Sequence, residues 1–309
     1  MKFNFTHSFI IILIISFAAC KNEQSVQKNA TVTSDTTHVD SNVTKKVIKP
    51  EIEIQYHAWP IKTSDSLKKI FKAMSPDDQK ILFALNRVDK RHISNIDTII
   101  VPDTFTTNLL DYAPFPLELP IIKDVNKMVF FSYPIQAYAV YENGTLIKWG
   151  PTNMGKKATP TPEGLFYANW KGKEIKSSVN PKWILKWNMN ISNLGGVGWH
   201  EYELPGYPAS HSCLRLLAED AKWLYDWADT WRLKDGKLAA KGTPTLVFGS
   251  YPWGERRPWK SILENNHALD ITVNEIDTLV KSHLEAILEA QQQRKIYLDE
   301  SMPTVDSIL

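Results

Sequence analysis

Chemistry in this chain concentrates in two short runs, Trp199-His200-Glu201-Tyr202 and, after a loop containing Pro205 and Gly206, Ser210-His211-Ser212-Cys213-Leu214-Arg215. A thiol is only slightly ionised at neutral pH, and an imidazole that takes its proton makes the attacking thiolate. Cys213 is one of two cysteines, Cys20 being the other. His200 and His211 are both candidate bases. His211, two residues before the cysteine, is expected to shape the site and to bond substrate, and is not excluded as the base. The same three residues read as zinc ligands fit poorly. Zinc pairs are usually separated by two to four residues, and only one separates His211 from Cys213. No metal and no cofactor are assigned. Arg215 has two readings, a bidentate hold on a substrate carboxylate or a lock on backbone carbonyls, and a position two residues beyond Cys213 favours the lock. Ser210 either orients His200 by a hydrogen bond, which is the expectation, or serves the turn. Trp199 and Tyr207 flank the runs and are the aromatic residues nominated for a substrate groove, although aromatic side chains are more often core. His7, His38, His57, His92, His267 and His283 have no partners at ligand-like spacing.

To position these groups the chain must build a mainly β domain. Runs rich in β-branched and aromatic residues predict strands at 128–132, 137–141 and 145–149, the last two joined by Asn143-Gly144, a strong hairpin signal. Further strands are predicted at 164–170, 183–189 and 243–249, and an amphipathic helix at 218–231 with Leu224 and Trp227 inward. Before this domain, Leu67, Ile70, Phe71 and Met74 follow helical spacing, as do Ile81, Leu82, Leu85 and Val88 after Ser75-Pro76-Asp77, a helix start with proline in the first turn. Flanking strands are expected, and the Pro-rich segment 114–120 reads as a linker. Beyond Pro258, Ile276, Leu279, Val280, Leu284, Ile287 and Leu288 predict helices packed on the domain. The polar run Gln291-Gln292-Gln293-Arg294 closes that pattern.

The two runs together resemble the L,D-transpeptidase catalytic domain, a family that carries a His followed by Ser-His-Gly-Cys-x-Arg. The resemblance covers 126–253 through Asn153-Met154-Gly155, Thr161-Pro162-Glu163-Gly164 and Gly242-Thr243-Pro244, in the family's order. It implies a β-sandwich or barrel, Cys213 as nucleophile, His200 as base oriented by the Glu201 backbone carbonyl, and oxyanion donors among the N–H groups of His211, Ser212 and Cys213. Ser212 departs from the family's Gly. Either the loop has backbone angles that serine tolerates, which is the expectation, or the oxyanion hole is altered. Residues 51–104 resemble a diverged lysin motif, a βααβ glycan-binding fold, through Asp65-Ser66-Leu67, Leu85-Asn86 and the run Asn95-Ile96-Asp97-Thr98-Ile99-Ile100-Val101-Pro102; the glycine usual before the opening Asp is missing. A purely structural module is the other reading. The fold class is thus α+β.

Lys2, an apolar run over 9–15 and Ala18-Ala19-Cys20 read as a signal peptide ending in a lipobox, with Cys20 acylated. Residues 21–50 are polar and nearly free of aromatics, a flexible tether. The expected organisation is leader 1–20, tether 21–50, module 51–104, catalytic domain 126–253 and helical extension 254–309. Thirty-six basic against thirty-four acidic residues, a formal charge of +2, leave no basic block for nucleic acid. Peptidoglycan is the expected partner, with a membrane reached through the lipid anchor. The expected place is the cell envelope, on the outer membrane facing the periplasm. The expected activity is transfer of stem peptides through a cysteinyl acyl-enzyme, by crosslinking or exchange. Trimming by water and an impaired peptidoglycan-binding lipoprotein are the alternatives.

Overall fold

Ser64 accepts the Leu67 N–H and Ser75 accepts the Asp78 N–H, so α1 (Asp65–Ala73) and α2 (Pro76–Asn86) start on serine caps, the second with proline in its first turn. This computed structural model describes residues 53–177 and 179–301, all within one compact unit, Val47–Leu309. The leader with Cys20 and the tether 21–50 lie outside the described residues. The helices are bracketed by β1 (Tyr56–Trp59) and β2 (Ile99–Pro102), which pair antiparallel, so the segment runs βααβ. The Asn86 side chain stitches α2 to β2: its Nδ2 donates to the Leu82 and Ile100 carbonyls, each at 2.9 Å, and its Oδ1 accepts the Ile100 N–H at 2.7 Å.

The central sheet is read off its alternation. It contains β3 (Met128–Ser132), β4 (Ala137–Glu142), β5 (Thr145–Asn153), β6 (Gly164–Tyr167), β7 (Lys171–Lys176), β8 (Ile184–Ser192), β9 (Val197–Glu201), β10 (Leu214–Leu216) and β13 (Pro244–Phe248). A separate hairpin is formed by β11 (Arg232–Lys234) and β12 (Lys237–Ala240), and α3 (Ala218–Trp227) follows β10. The nine strands run in the order β6-β13-β3-β4-β5-β10-β9-β8-β7. Met128, Phe130, Ala139 and Tyr141 enter one core and Val129, Phe131, Tyr138 and Val140 another, so the sheet is buried on both faces. The expected sandwich or barrel is instead a single curled sheet. Asn169 donates to the Asn190 carbonyl at 2.8 Å and Asn190 to the Trp170 carbonyl at 2.9 Å, which draws the β6 edge towards β8 and half-closes it.

Inside the curl, α3 contributes Ala221 and Leu224. The other face is covered by Ile81, Leu85 and Ile100 of the βααβ module, by Phe115 and Leu119, and by Ile276, Val280 and Ile287 of α4 (Val273–Lys281) and α5 (Leu284–Glu300). Segment 114–120, expected as a linker, is therefore core: Phe115 and Leu119 are buried. Arg87 ties the module down, its Nε donating to the Ile135 carbonyl at 2.7 Å with the guanidinium 5.6 Å from the Trp149 ring centre. Three expectations about the helices change. The helix at 218–231 stops at Trp227, because Asp229 and Trp231 turn away to bond Thr243 and the 168–169 backbone. Helix α5 runs through the polar Gln291–Arg294 region to Glu300. Ile70, expected inward, is largely exposed.

Candidate active site

β9 and β10 are parallel neighbours with Leu214 opposite Trp199 and Arg215 opposite His200. Period-2 alternation then sorts the residues. Trp199, Leu214 and Leu216 enter the inner core, whereas His200 and Arg215 share the other face. Trp199 is completely buried and stacked on Phe131 at 5.9 Å. That corrects its nomination for a substrate groove: on a strand, the residue next to an outward-facing His points inward. Tyr207, by contrast, is half exposed, with the Arg257 guanidinium 5.6 Å from its ring centre.

His200 is buried, and its Nδ1 lies 2.8 Å from the Glu201 carbonyl, the orientation expected. A carbonyl only accepts, so Nδ1 carries the proton and the lone pair is on Nε2. Burial drives the imidazole pKa down from 6.5 to about 4; the Glu201 bond opposes this and Arg215 adds to it. Cys213 is half buried and its Sγ lies 3.9 Å from the Gly196 carbonyl. Burial pushes its thiol up, against the Gly198 N–H and the Arg215 charge, which favour the thiolate. Both groups are therefore neutral at rest near pH 7. No hydrogen bond joins Cys213 to His200 among the described residues.

The loop before Cys213 is not a strand. Ser212 has φ +80°, a left-handed angle, so the expectation that serine finds a tolerated region here is overturned. Its Oγ donates to the Thr159 carbonyl at 3.3 Å and its carbonyl accepts from Thr161 Oγ1 at 2.9 Å. Ser210 also differs from expectation. Its Oγ donates to the Cys213 carbonyl at 2.6 Å, three residues on, which closes the turn rather than orienting His200. The N–H groups of His211, Ser212 and Cys213 donate to no protein acceptor among the described residues. Gly155 supports the loop from below, where a Cβ would fall 2.2 Å from the Thr159 carbonyl; its neighbour Lys156 donates its N–H to the Ser210 carbonyl at 2.9 Å.

His211 does not extend the His200 pair. Its Nε2 lies 3.0 Å from Lys156 Nζ, its ring 5.3 Å from that of Trp183, and its Nδ1 is buried without a partner. Burial, then the Lys156 and Arg215 charges, lower its pKa. The Arg215 guanidinium donates to the Glu203 and Ala209 carbonyls at 3.4 and 3.5 Å and lies 4.6 Å from the Tyr202 ring centre. Sequence reasoning missed four neighbours. Lys156 and Trp183 flank His211, Tyr202 meets the His200 ring edge-on at 6.0 Å, and Asn153 holds the 207–209 backbone through both side-chain atoms. Only Asn153 carried a signal, as part of a landmark. Among the described residues no group of three His, Cys, Asp or Glu could hold a metal ion, and no helix is long and apolar enough to cross a membrane.

Residues 126–247 match the family model of the YkuD L,D-transpeptidase catalytic domain. Over 132 residues the chain is 26% identical to L,D-transpeptidase 2 of Mycobacterium tuberculosis, covering 38% of this chain and 32% of that protein. It thus spans about a third of the length of the curated relative it matches. Among solved structures, it is similar to an L,D-transpeptidase from Stackebrandtia nassauensis at 27% identity, covering 41% of this chain and 57% of that one with a TM-score of 0.34. An Enterococcus faecium L,D-transpeptidase is similar at 23% identity, covering 40% and 50% with a TM-score of 0.32.

Proposed function

We propose that this protein is a peptidoglycan-modifying L,D-transpeptidase that works through a cysteinyl acyl-enzyme. The observation that carries the reading is the His200 imidazole, locked by the Glu201 carbonyl in the tautomer that leaves Nε2 free, in register with the strand that Cys213 leads into. With substrate bound, Cys213 gives its proton to His200 Nε2 as sulfur attacks the carbonyl carbon of a stem-peptide bond. The oxyanion meets the N–H groups of the 211–213 loop. The C–N bond breaks, the departing amine takes the proton from the imidazolium, and a thioester remains. An acceptor amine then attacks that thioester, and the thiol is restored as the acyl group leaves. An amine from a second stem gives a crosslink, a free amino acid gives exchange, and water gives trimming.

Because both reacting groups are neutral at rest, general-base removal of the thiol proton accompanies attack instead of preceding it. The test uses a carbapenem as acyl donor. Intact mass should show one adduct on the wild type and none on folded Cys213→Ala, and mass spectrometry of digested peptidoglycan should show new stem linkages with the wild type alone. A Cys213→Ala protein that still forms linkages removes the assignment. The strained Ser212 favours a second reading, an impaired peptidoglycan-binding lipoprotein; a wild type that binds peptidoglycan but takes no carbapenem supports that reading instead. In either case the proposed anchor is Cys20, facing the envelope. Cys20→Ser should then accumulate as unprocessed precursor without lipid label, and normal processing of that variant excludes the anchor.

A further inference from the structure

Asp89 stands just beyond the left-handed Arg87 at the end of α2, in no motif, and its carboxylate joins two parts of the molecule. On the module side, Oδ1 accepts the N–H groups of Arg91 and His92 at 2.8 and 3.0 Å and meets His92 Nδ1 at 2.8 Å. On the other side, Oδ2 accepts the Leu204 N–H at 2.9 Å while the Asp89 N–H donates to the Leu204 carbonyl at 3.0 Å. Val88 and Pro205 form a β-bridge alongside. Asp89 thus reproduces a strand pair in which a side-chain oxygen replaces one backbone carbonyl, and it is 9% exposed.

Leu204 belongs to the loop that carries the chain from His200 to Cys213. Its neighbours touch His200 and Arg215. The Glu203 carbonyl accepts from Arg215 Nη1 at 3.4 Å, Arg91 pairs with the Glu203 carboxylate at 3.6 Å, and Tyr202 lies between the Arg215 guanidinium and the His200 ring. Arg215 is the charge that acts on both His200 and Cys213. At its far end the loop is held independently by Asn153, whose Oδ1 accepts the Ala209 N–H at 3.3 Å.

We propose that Asp89 is a positioning residue for the Cys213–His200 pair: by fixing Leu204, the N-terminal module sets where Tyr202 and Arg215 stand against the imidazole and the thiol. Its consequence for turnover rests on the acyl-transfer reading above. Asp89→Ser separates the two ends of the contact. A serine hydroxyl still accepts the N–H groups two and three residues on, so the module turn survives, but it is too short to reach Leu204. None of the titratable and charged groups around the pair, Arg215, Tyr202, His211, Lys156 and Glu203, is itself substituted.

Two measurements on the full-length protein test this. Saturation kinetics with a carbapenem, followed by intact mass, should show the maximal acylation rate of Asp89→Ser down about tenfold or more, since small misplacements of reacting groups are costly, with the half-saturating concentration within about threefold of wild type. The pH profile of Cys213 alkylation by iodoacetamide, which needs no transpeptidase activity, should shift in the variant. If Asp89→Ser does not fold, the near-isosteric Asp89→Asn, whose amide cannot accept from both sides, is measured in its place. A folded variant with wild-type maximal rate and an unshifted alkylation profile overturns the proposal. A wild type that takes no carbapenem while the alkylation profile still shifts removes the acyl-transfer reading and leaves the positioning role standing.

Discussion

Ser212 is the residue at which sequence and backbone disagree. A side chain at φ +80° costs on the order of 1 kcal/mol that glycine does not incur, and the one compensating bond from its hydroxyl is long at 3.3 Å. Ser212→Gly should therefore raise the melting temperature by roughly 2–4 °C and acylate at Cys213 faster than wild type, whereas Ser212→Ala, which keeps the Cβ and loses the hydroxyl, should melt lower. A Gly variant that melts below wild type refutes the strain. His200 makes a second prediction. Its pKa of about 4 lies below the ordinary 6.5, so the ring is already the neutral base across the neutral range, and the sign is that protonation removes activity only as pH falls through about 4. Carbapenem acylation should be nearly flat from about pH 5.5 to 8; a rate that halves near 6.5 would mean the ring is solvated. The contact of His200 with the Glu201 carbonyl was legible because the two residues are adjacent in the chain. Ser210 and Ser212 were not, because a left-handed angle on serine has no local signal and it breaks the alternation used to place their side chains.

Elements were legible where a local rule governs them. Asn143 and Gly144 have φ +48° and +80°, the mirror-image turn that Asn-Gly favours, and β4 and β5 pair on either side of it. The capped helices of the module followed for the same reason. β7 escaped notice because an edge strand reading Lys-Gly-Lys-Glu-Ile-Lys carries charge where a core strand carries apolar residues. The β11–β12 hairpin was missed although its Asp235-Gly236 turn is as strong a signal as the first. Within the module, one side chain decides whether α2 and β2 stay together. Asn86→Ala would leave the Ile100 N–H and carbonyl without their partners, at a cost of about 2–3 kcal/mol, and chemical denaturation should show a loss of that size. A loss below about 0.5 kcal/mol would mean that water replaces the amide.

At the scale of the whole molecule, the sequence divides into segments more sharply than the structure does. Composition and period change between 104 and 126, which reads as a boundary, yet Ile81, Leu85 and Ile100 lie in the same core as Phe130, Trp149 and Ile276. Sequence patterning records which face of each element is apolar but not which partner covers it, so a shared core looks like two separate ones. The buried Arg87 shows how complete the fusion is, for a guanidinium from the end of α2 finds its acceptor on the β3–β4 connection and its aromatic partner on β5. This has a consequence for how such a protein can be inherited. A module whose apolar surface is finished only by the sheet beside it is not a cassette: moved by recombination onto another catalytic domain, residues 53–103 would carry an uncovered greasy face and an unanswered cation. The two parts must therefore diverge together, each accepting only those substitutions that the other can still fit.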